Sequence, residues 1–210
     1  AGQVAGAAAG AAAAPAATRL ARMSAAAAQN AWDSVAGEDI PACTGAADKE
    51  CAEAQALRAR ACRRQAQGAP REQAGRLRDC AVSAGQAALA AGGANTQAER
   101  NAWREELLAA LYDRRAVTPR ASICPDNDTM RSEAETLLRD APGNASARFH
   151  GASARMIGVS VSCGADDRRC PDLAEAQRLL TPPNAADPRW AQTAEGVRTL
   201  QRVVVGCPES

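Results

Sequence analysis

Apolar positions recur three and four residues apart through most of the chain, and no segment shows the two-residue alternation of a strand. From Thr18 to Ala36 the apolar series is Leu20, Met23, Ala27, Ala31 and Val35, which predicts one helix closed by Gly37. Asp48 is placed to cap a second helix running to about Gln65, with Ala54, Leu57, Ala61 and Cys62 inward. A turn at Gln67–Pro70 leads to a third helix, with Leu77, Cys80, Ala84, Ala87 and Ala88 on one face and Gly92-Gly93 at its end. Thr96-Gln97-Ala98-Glu99 reads as a capping box for a fourth helix, striped by Trp103, Leu107, Ala110 and Leu111 and stopped by Thr118-Pro119. A loop from Arg120 to Asp128 is expected next. A fifth helix then runs from about Thr129 to Asp140, and a sixth from Ala145 to about Val159, capped by Asn144. A seventh spans Leu173 to Leu180 and is broken by Pro182-Pro183. The last begins near Pro188 and carries Trp190, Ala194, Val197 and Leu200. Eight helices joined by short turns predict antiparallel hairpins.

The composition agrees. Aromatic residues are few (Trp32, Trp103, Trp190, Tyr112 and Phe149), and alanine makes up most of the apolar set. Strands need β-branched and aromatic residues, whereas alanine has the highest helix propensity and lets helices approach closely. The expected fold class is therefore all-α, with the helical hairpins stacked as an array. With 210 residues, one domain over 18–210 is expected, preceded by an Ala/Gly-rich stretch over 1–17 that reads as a tether after a cleaved export signal, the alternative being a remnant of the signal itself. No apolar run is long enough to span a membrane as a helix. The formal charge is only +1, so no global field recruits nucleic acid. All basic residues except Lys49 are arginine. With the abundant alanine, this is the composition expected of a GC-rich bacterial genome.

Eight cysteines, an even number without a CxxC spacing, point to disulfides and an oxidising compartment, the periplasm or cell surface. Cys43 and Cys51 bracket Thr44-Gly45-Ala46-Ala47-Asp48-Lys49-Glu50, followed by Ala-Glu-Ala-Gln. Cys163 and Cys170 bracket Gly164-Ala165-Asp166-Asp167-Arg168-Arg169, and Ala174-Glu175-Ala176-Gln177 follows. The internal echo suggests the pairs Cys43–Cys51 and Cys163–Cys170. Cys62 and Cys80 lie on consecutive helices around the Gly68–Pro70 turn and can meet as the hairpin closes, which would leave Cys124 with Cys207; these four cysteines allow three connectivities, and the choice among them stays open on the sequence. Each short loop would stabilise the chain by roughly 2–3 kcal/mol.

Further echoes support an array. Glu133-Ala134-Glu135-Thr136-Leu137-Leu138 is repeated as Glu175-Ala176-Gln177-Arg178-Leu179-Leu180, and Asn30-Ala31-Trp32 as Asn101-Ala102-Trp103. From Glu133 to about Trp190 there is an inward Ala and a Leu-Leu pair, then Pro142 and Asn144-Ala145, then a helix with Gly151 at mid-position. This stretch resembles the tetratricopeptide (TPR) family. The cysteine loop departs from that pattern by lengthening a turn. The resemblance implies a solenoid or compact superhelix that binds proteins or peptides on its concave face.

Catalytic chemistry finds little material. The single histidine, His150, sits mid-helix, and its helical neighbours Ser146 and Ser153 do not form a triad with it. Asp126-Asn127-Asp128-Thr129 invites a calcium reading. That loop, however, needs Gly at its sixth position and Glu at its twelfth, where Arg131 and Leu137 stand, so Asp128 or Thr129 is read as a helix cap. Asn144-Ala145-Ser146 and Asn127-Asp128-Thr129 match the glycosylation sequon, which carries little weight in a bacterial chain. The arginine pairs Arg63-Arg64, Arg114-Arg115 and Arg168-Arg169 are interspersed with acids and read as solvated faces. The expectation is a non-catalytic interaction or scaffold module, without cofactor or metal, accessory to a bacterial envelope assembly. The groove is expected along the first helix of each hairpin, with Asn101, Arg104, Arg148, Arg155 and Arg198 gripping partner carboxylates. The alternative is a helical carrier of a small ligand or metal, with an apolar cavity near Trp103 and Trp190.

Overall fold

The structure is a computed structural model, which describes residues 16–203 and Cys207. Nine α-helices and no strand occur among the described residues: α1 (Ala16–Ala28), α2 (Trp32–Ala36), α3 (Lys49–Gly68), α4 (Arg71–Ala91), α5 (Gln97–Arg115), α6 (Cys124–Asp140), α7 (Ala145–Val161), α8 (Arg169–Leu179) and α9 (Pro188–Val203). Most of the expected N-terminal tether lies outside the described residues. Ala16 and Ala17, placed in the tether on sequence grounds, open α1 instead.

The helix ends follow the local chemistry closely. Asp48 accepts from the backbone of Cys51 at 3.2 Å, and Thr44 donates to its other oxygen through both N–H and hydroxyl, at 3.0 and 2.8 Å. These bonds hold its carboxyl below the usual aspartate range, the Thr44 backbone bond contributing most. The Thr96/Glu99 capping box is complete, and Asn144 accepts from Ala147 N at 2.8 Å. Besides α8, which opens at Arg169 rather than Leu173, two boundaries differ from expectation. The single helix over 18–36 is broken because Asn30 takes a left-handed conformation (φ 59°), which asparagine tolerates, and Ala31 N turns back to Ala26 O at 2.9 Å. The other difference is at α6, which begins five residues early. Pro125 occupies its first turn, Asn127 N already bonds Ile123 O, and Thr129 donates to Pro125 O rather than capping.

Each helix packs on its neighbour in the chain. In addition, α1, α3, α5, α7 and α9 touch in succession, forming one continuous row. The partners α4, α6 and α8 flank that row without packing on one another to a similar extent, so furrows open between them. Alanine makes the close approach possible. In the α3–α4 hairpin Ala52, Ala54, Ala59, Ala61 and Ala66 of α3 and Ala74, Ala81, Ala84, Ala88 and Ala91 of α4 are all buried. The cysteine loop before α3 docks on the α4–α5 turn. Gly93 N donates to Ala46 O at 2.7 Å, and a Cβ on Gly93 would collide with that same oxygen.

All eight cysteines are paired. Cys43–Cys51 and Cys62–Cys80 form as expected. The remaining two expected pairs are corrected: Cys124 joins Cys163, and Cys170 joins Cys207. The echo between the two cysteine loops misleads because their first cysteines have different settings. Cys43 precedes its helix by six residues, whereas Cys163 directly follows Ser162, the left-handed cap that ends α7. There it faces the start of the antiparallel α6, where Cys124 stands. Cys170 falls in the first turn of α8 and turns to the tail.

Candidate arginine groove on helix seven

The furrow between α6 and α8 has α7 as its floor, and glycine sets its depth. A Cβ on Gly151 would lie 3.3 Å from both Ala134 Cβ on α6 and Leu179 Cδ1 on α8. Three adjoining recesses follow this furrow. The central one, about 480 Å³, is walled by Glu135 and Arg139 of α6, Arg155 of α7, and Glu175 and Arg178 of α8. At one end it shares Leu138 and Arg178 with a recess of about 310 Å³ that also takes in Arg148 and Pro182. At the other end it shares Arg155 with a small recess of about 40 Å³ beside Cys163.

Seven arginines (131, 139, 148, 155, 168, 169 and 178) line these recesses, against four carboxylates, Asp128, Glu135, Asp172 and Glu175. The local excess is three positive charges, while the whole chain carries +1. Arg155 is the deepest, only 6% exposed. It donates to Gly151 O at 3.1 Å and to Glu135 Oε1 at 2.6 Å. Burial lowers its pKa, the nearby Arg131 acting in the same direction. Arg131 spans the furrow, reaching Asp172 at 2.8 Å and Glu135 at 3.2 Å. Burial opposes its charge, but those two carboxylates outweigh it and raise its pKa. Arg178 holds its own Glu175 with two bonds of 2.7 and 2.6 Å, which keeps that glutamate below the usual range, and remains mostly exposed.

The residues nominated from sequence fall in several places. Arg148 and Arg155 line the furrow. Arg148 caps α8 through Leu179 O at 2.8 Å and Pro182 O at 3.2 Å, with its guanidinium 5.3 Å from the Trp190 ring. Asn101 lines a different recess between α3 and α5, together with Arg60, Arg63 and Ser146. Arg104 bonds Asn101 at 3.3 Å and Glu133 at 3.2 Å. Arg198 is exposed on α9 and pairs with Glu195 of its own helix. The five therefore do not share one surface. The arginines that complete the groove, Arg131, Arg139 and Arg178, stand on the second helices of their hairpins. A hint of them lay in the α6/α8 echo, where Ala134, Ala176 and Leu137 are fully buried and Leu179 nearly so. That repeat puts the two helices in equivalent seats beside α7.

The arginine pairs are structural ties rather than solvated faces alone. Arg63 bonds Asp113 at 2.8 Å, Arg64 lies over the Trp32 ring at 4.5 Å, and Arg114 bonds Asp126. His150 is 4% exposed, between Tyr112 and Phe149. Its Nδ1 lies 2.8 Å from Ser146 O and 3.2 Å from Ser146 Oγ. A neutral ring gives its Nδ1 hydrogen to the carbonyl, so that nitrogen has no lone pair with which to deprotonate the hydroxyl. Burial, opposed by that bond and aided by Arg189 and Arg115, lowers the His150 pKa to about 4. Trp190 is packed against Phe149 and donates to Leu180 O at 2.8 Å, while the Trp103 ring covers Gly92. Neither ring lines the recesses described here. Among the described residues no group of three or more His, Cys, Asp or Glu is placed to hold a metal ion, and no helix is long and apolar enough to cross a membrane.

Fold and groove together define an all-α hairpin protein stapled by four disulfides, with a cationic furrow on one side. No family model, curated protein or solved structure matches the chain.

Proposed function

We propose that this protein is a non-catalytic, exported interaction module, TPR-like in the stacking of its hairpins, that holds an acidic segment of a partner protein in the α6–α8 furrow. The observation that carries the reading is the excess of arginine over carboxylate along one continuous groove in a nearly neutral chain. Guanidinium groups on both walls and the floor suit carboxylates, which they bind through paired hydrogen bonds. Four disulfides fit an oxidising location such as the periplasm or cell surface. We read its place as accessory to a bacterial envelope assembly.

Fluorescence anisotropy with labelled deca-glutamate and deca-lysine peptides tests the reading. The glutamate peptide binds, more weakly as salt is raised, and the lysine peptide does not. In the double variant Arg139→Glu/Arg178→Glu, which changes two exposed wall residues, affinity for the glutamate peptide falls at least tenfold with an unchanged helical spectrum. Equal binding by the variant, or no preference between the peptides, overturns the proposal.

A further inference from the structure

Beside the Cys124–Cys163 disulfide, at the end of the furrow, the small recess gathers an unusual set of polar atoms. Asn127 Oδ1, Arg155 Nε and Arg169 Nε are buried and have no hydrogen-bond partner among the described residues. Asn127 is 2% exposed and Arg155 6%. A buried donor left unmatched is costly, so two such N–H groups lining one recess call for an acceptor that the described residues do not supply.

Charge and size narrow the choice. Arg131, Arg155, Arg168 and Arg169 line the recess with Asp128 and Asp172; Arg155 and Arg169 are also paired through their terminal nitrogens with Glu135 at 2.6 Å and Asp166 at 2.7 Å, which leaves their Nε–H groups as the unmatched donors. Asp172 is already engaged by Arg131 at 2.8 Å and Arg168 at 3.7 Å. Asn127 lies against the backbone of Gly158, where a Cβ would stand 3.1 Å from its Nδ2. Its amide, turned by half a rotation, presents N–H instead of oxygen to the recess. The space of about 40 Å³ admits a monatomic ion or a few waters, and is far smaller than a peptide or a phosphate ester.

We propose that this recess is a binding site for a small monovalent anion of chloride size, held by the Arg155 and Arg169 guanidinium groups and the Asn127 amide. The site bridges α6, α7 and the first turn of α8, and so ties together the helices that frame the furrow. It is separate from the proposed capture of an acidic partner, which uses the exposed walls further along.

The test uses the intact oxidised chain at constant ionic strength. Thermal unfolding is followed with sodium gluconate replaced stepwise by chloride, bromide or fluoride, and crystals grown in bromide are examined by anomalous scattering. The expected result is a saturable rise in Tm with chloride and bromide, smaller with fluoride, and a bromide peak in the recess. Arg169→Gln, at a partly exposed position, keeps the helical spectrum and weakens the chloride effect at least tenfold in apparent Kd. In Arg139→Glu/Arg178→Glu the chloride effect is unchanged, which separates this site from the peptide groove. A Tm independent of the anion, an anion effect equally large in Arg169→Gln, or bromide found only on the outer surface shows that the recess holds water alone and overturns the proposal.

Discussion

His150 and Gly151 are neighbours on α7 and make opposite demands on their surroundings. His150 is buried with its pKa lowered to about 4 from 6.5. The unfolded chain takes up a proton near pH 6.5, but the folded chain does so only near pH 4. The contribution of the neutral imidazole is therefore complete above pH 6.5 and lost as pH falls towards 4, by about 3 kcal/mol. Titration of the His150 ring protons by NMR should show a midpoint near 4, and in His150→Gln the fall in Tm between pH 7 and pH 4 should shrink. A midpoint near 6.5 would contradict the buried placement. Gly151 instead has no room to spare, because Ala134 and Leu179 stand at contact distance on both sides. Gly151→Val should push α6 and α8 apart at a cost of about 1–3 kcal/mol in urea unfolding. An equal stability would mean that α7 does not lie as deep as described.

Among the elements, α6 and α7 are joined by a covalent tie between the start of one and the end of the other. Cys124–Cys163 closes 39 residues and Cys170–Cys207 closes 37, each worth up to about 4 kcal/mol by loop-closure entropy. Peptide mapping under non-reducing conditions should recover both pairs. Cys124→Ser/Cys163→Ser should lower Tm and loosen the start of α6, while recovery of a Cys163–Cys170 peptide would refute the assignment. Removing the cap of α5 with Thr96→Ala should cost about 1 kcal/mol, because it leaves the Glu99 N–H unsatisfied. Most helix ends were legible in the sequence because their signals are local: Asp48, Thr96 with Glu99, Asn144 and the glycine and proline stops each act within a turn. The start of α6 was not, since Pro125 suits both a loop and a first helical turn, and the contacts that hold the turn, Cys124–Cys163 and Arg114–Asp126, are tertiary. The groove was half legible for a related reason. Arg148 and Arg155 follow from α7 alone, but Arg139 and Arg178 belong to it only because α6 and α8 flank α7 without closing over it, and no local pattern encodes that spacing.

At the level of the whole molecule the core divides into three linked parts. Met23, Val35 and Ala61 centre the first, Leu107, Leu111 and Leu137 the second, and Phe149, Leu173 and Trp190 the third. Ala36 touches the first two, and Tyr112 and Leu138 the second and third. Such a row unfolds in stages more readily than a single centre does. Hydrogen exchange should find α1 and α2 opening first and α5 to α7 last. Uniform protection from α1 to α9 would argue for one cooperative unit. The disulfides run along this row in a particular order. The eight cysteines are bonded in consecutive pairs, first to second, third to fourth and so on, one arrangement among the 105 that eight cysteines permit. A polypeptide threaded N-terminus first into an oxidising compartment thus presents each thiol to its correct mate before any later thiol has arrived. Oxidation can keep pace with emergence, and no wrongly made bond has to be undone.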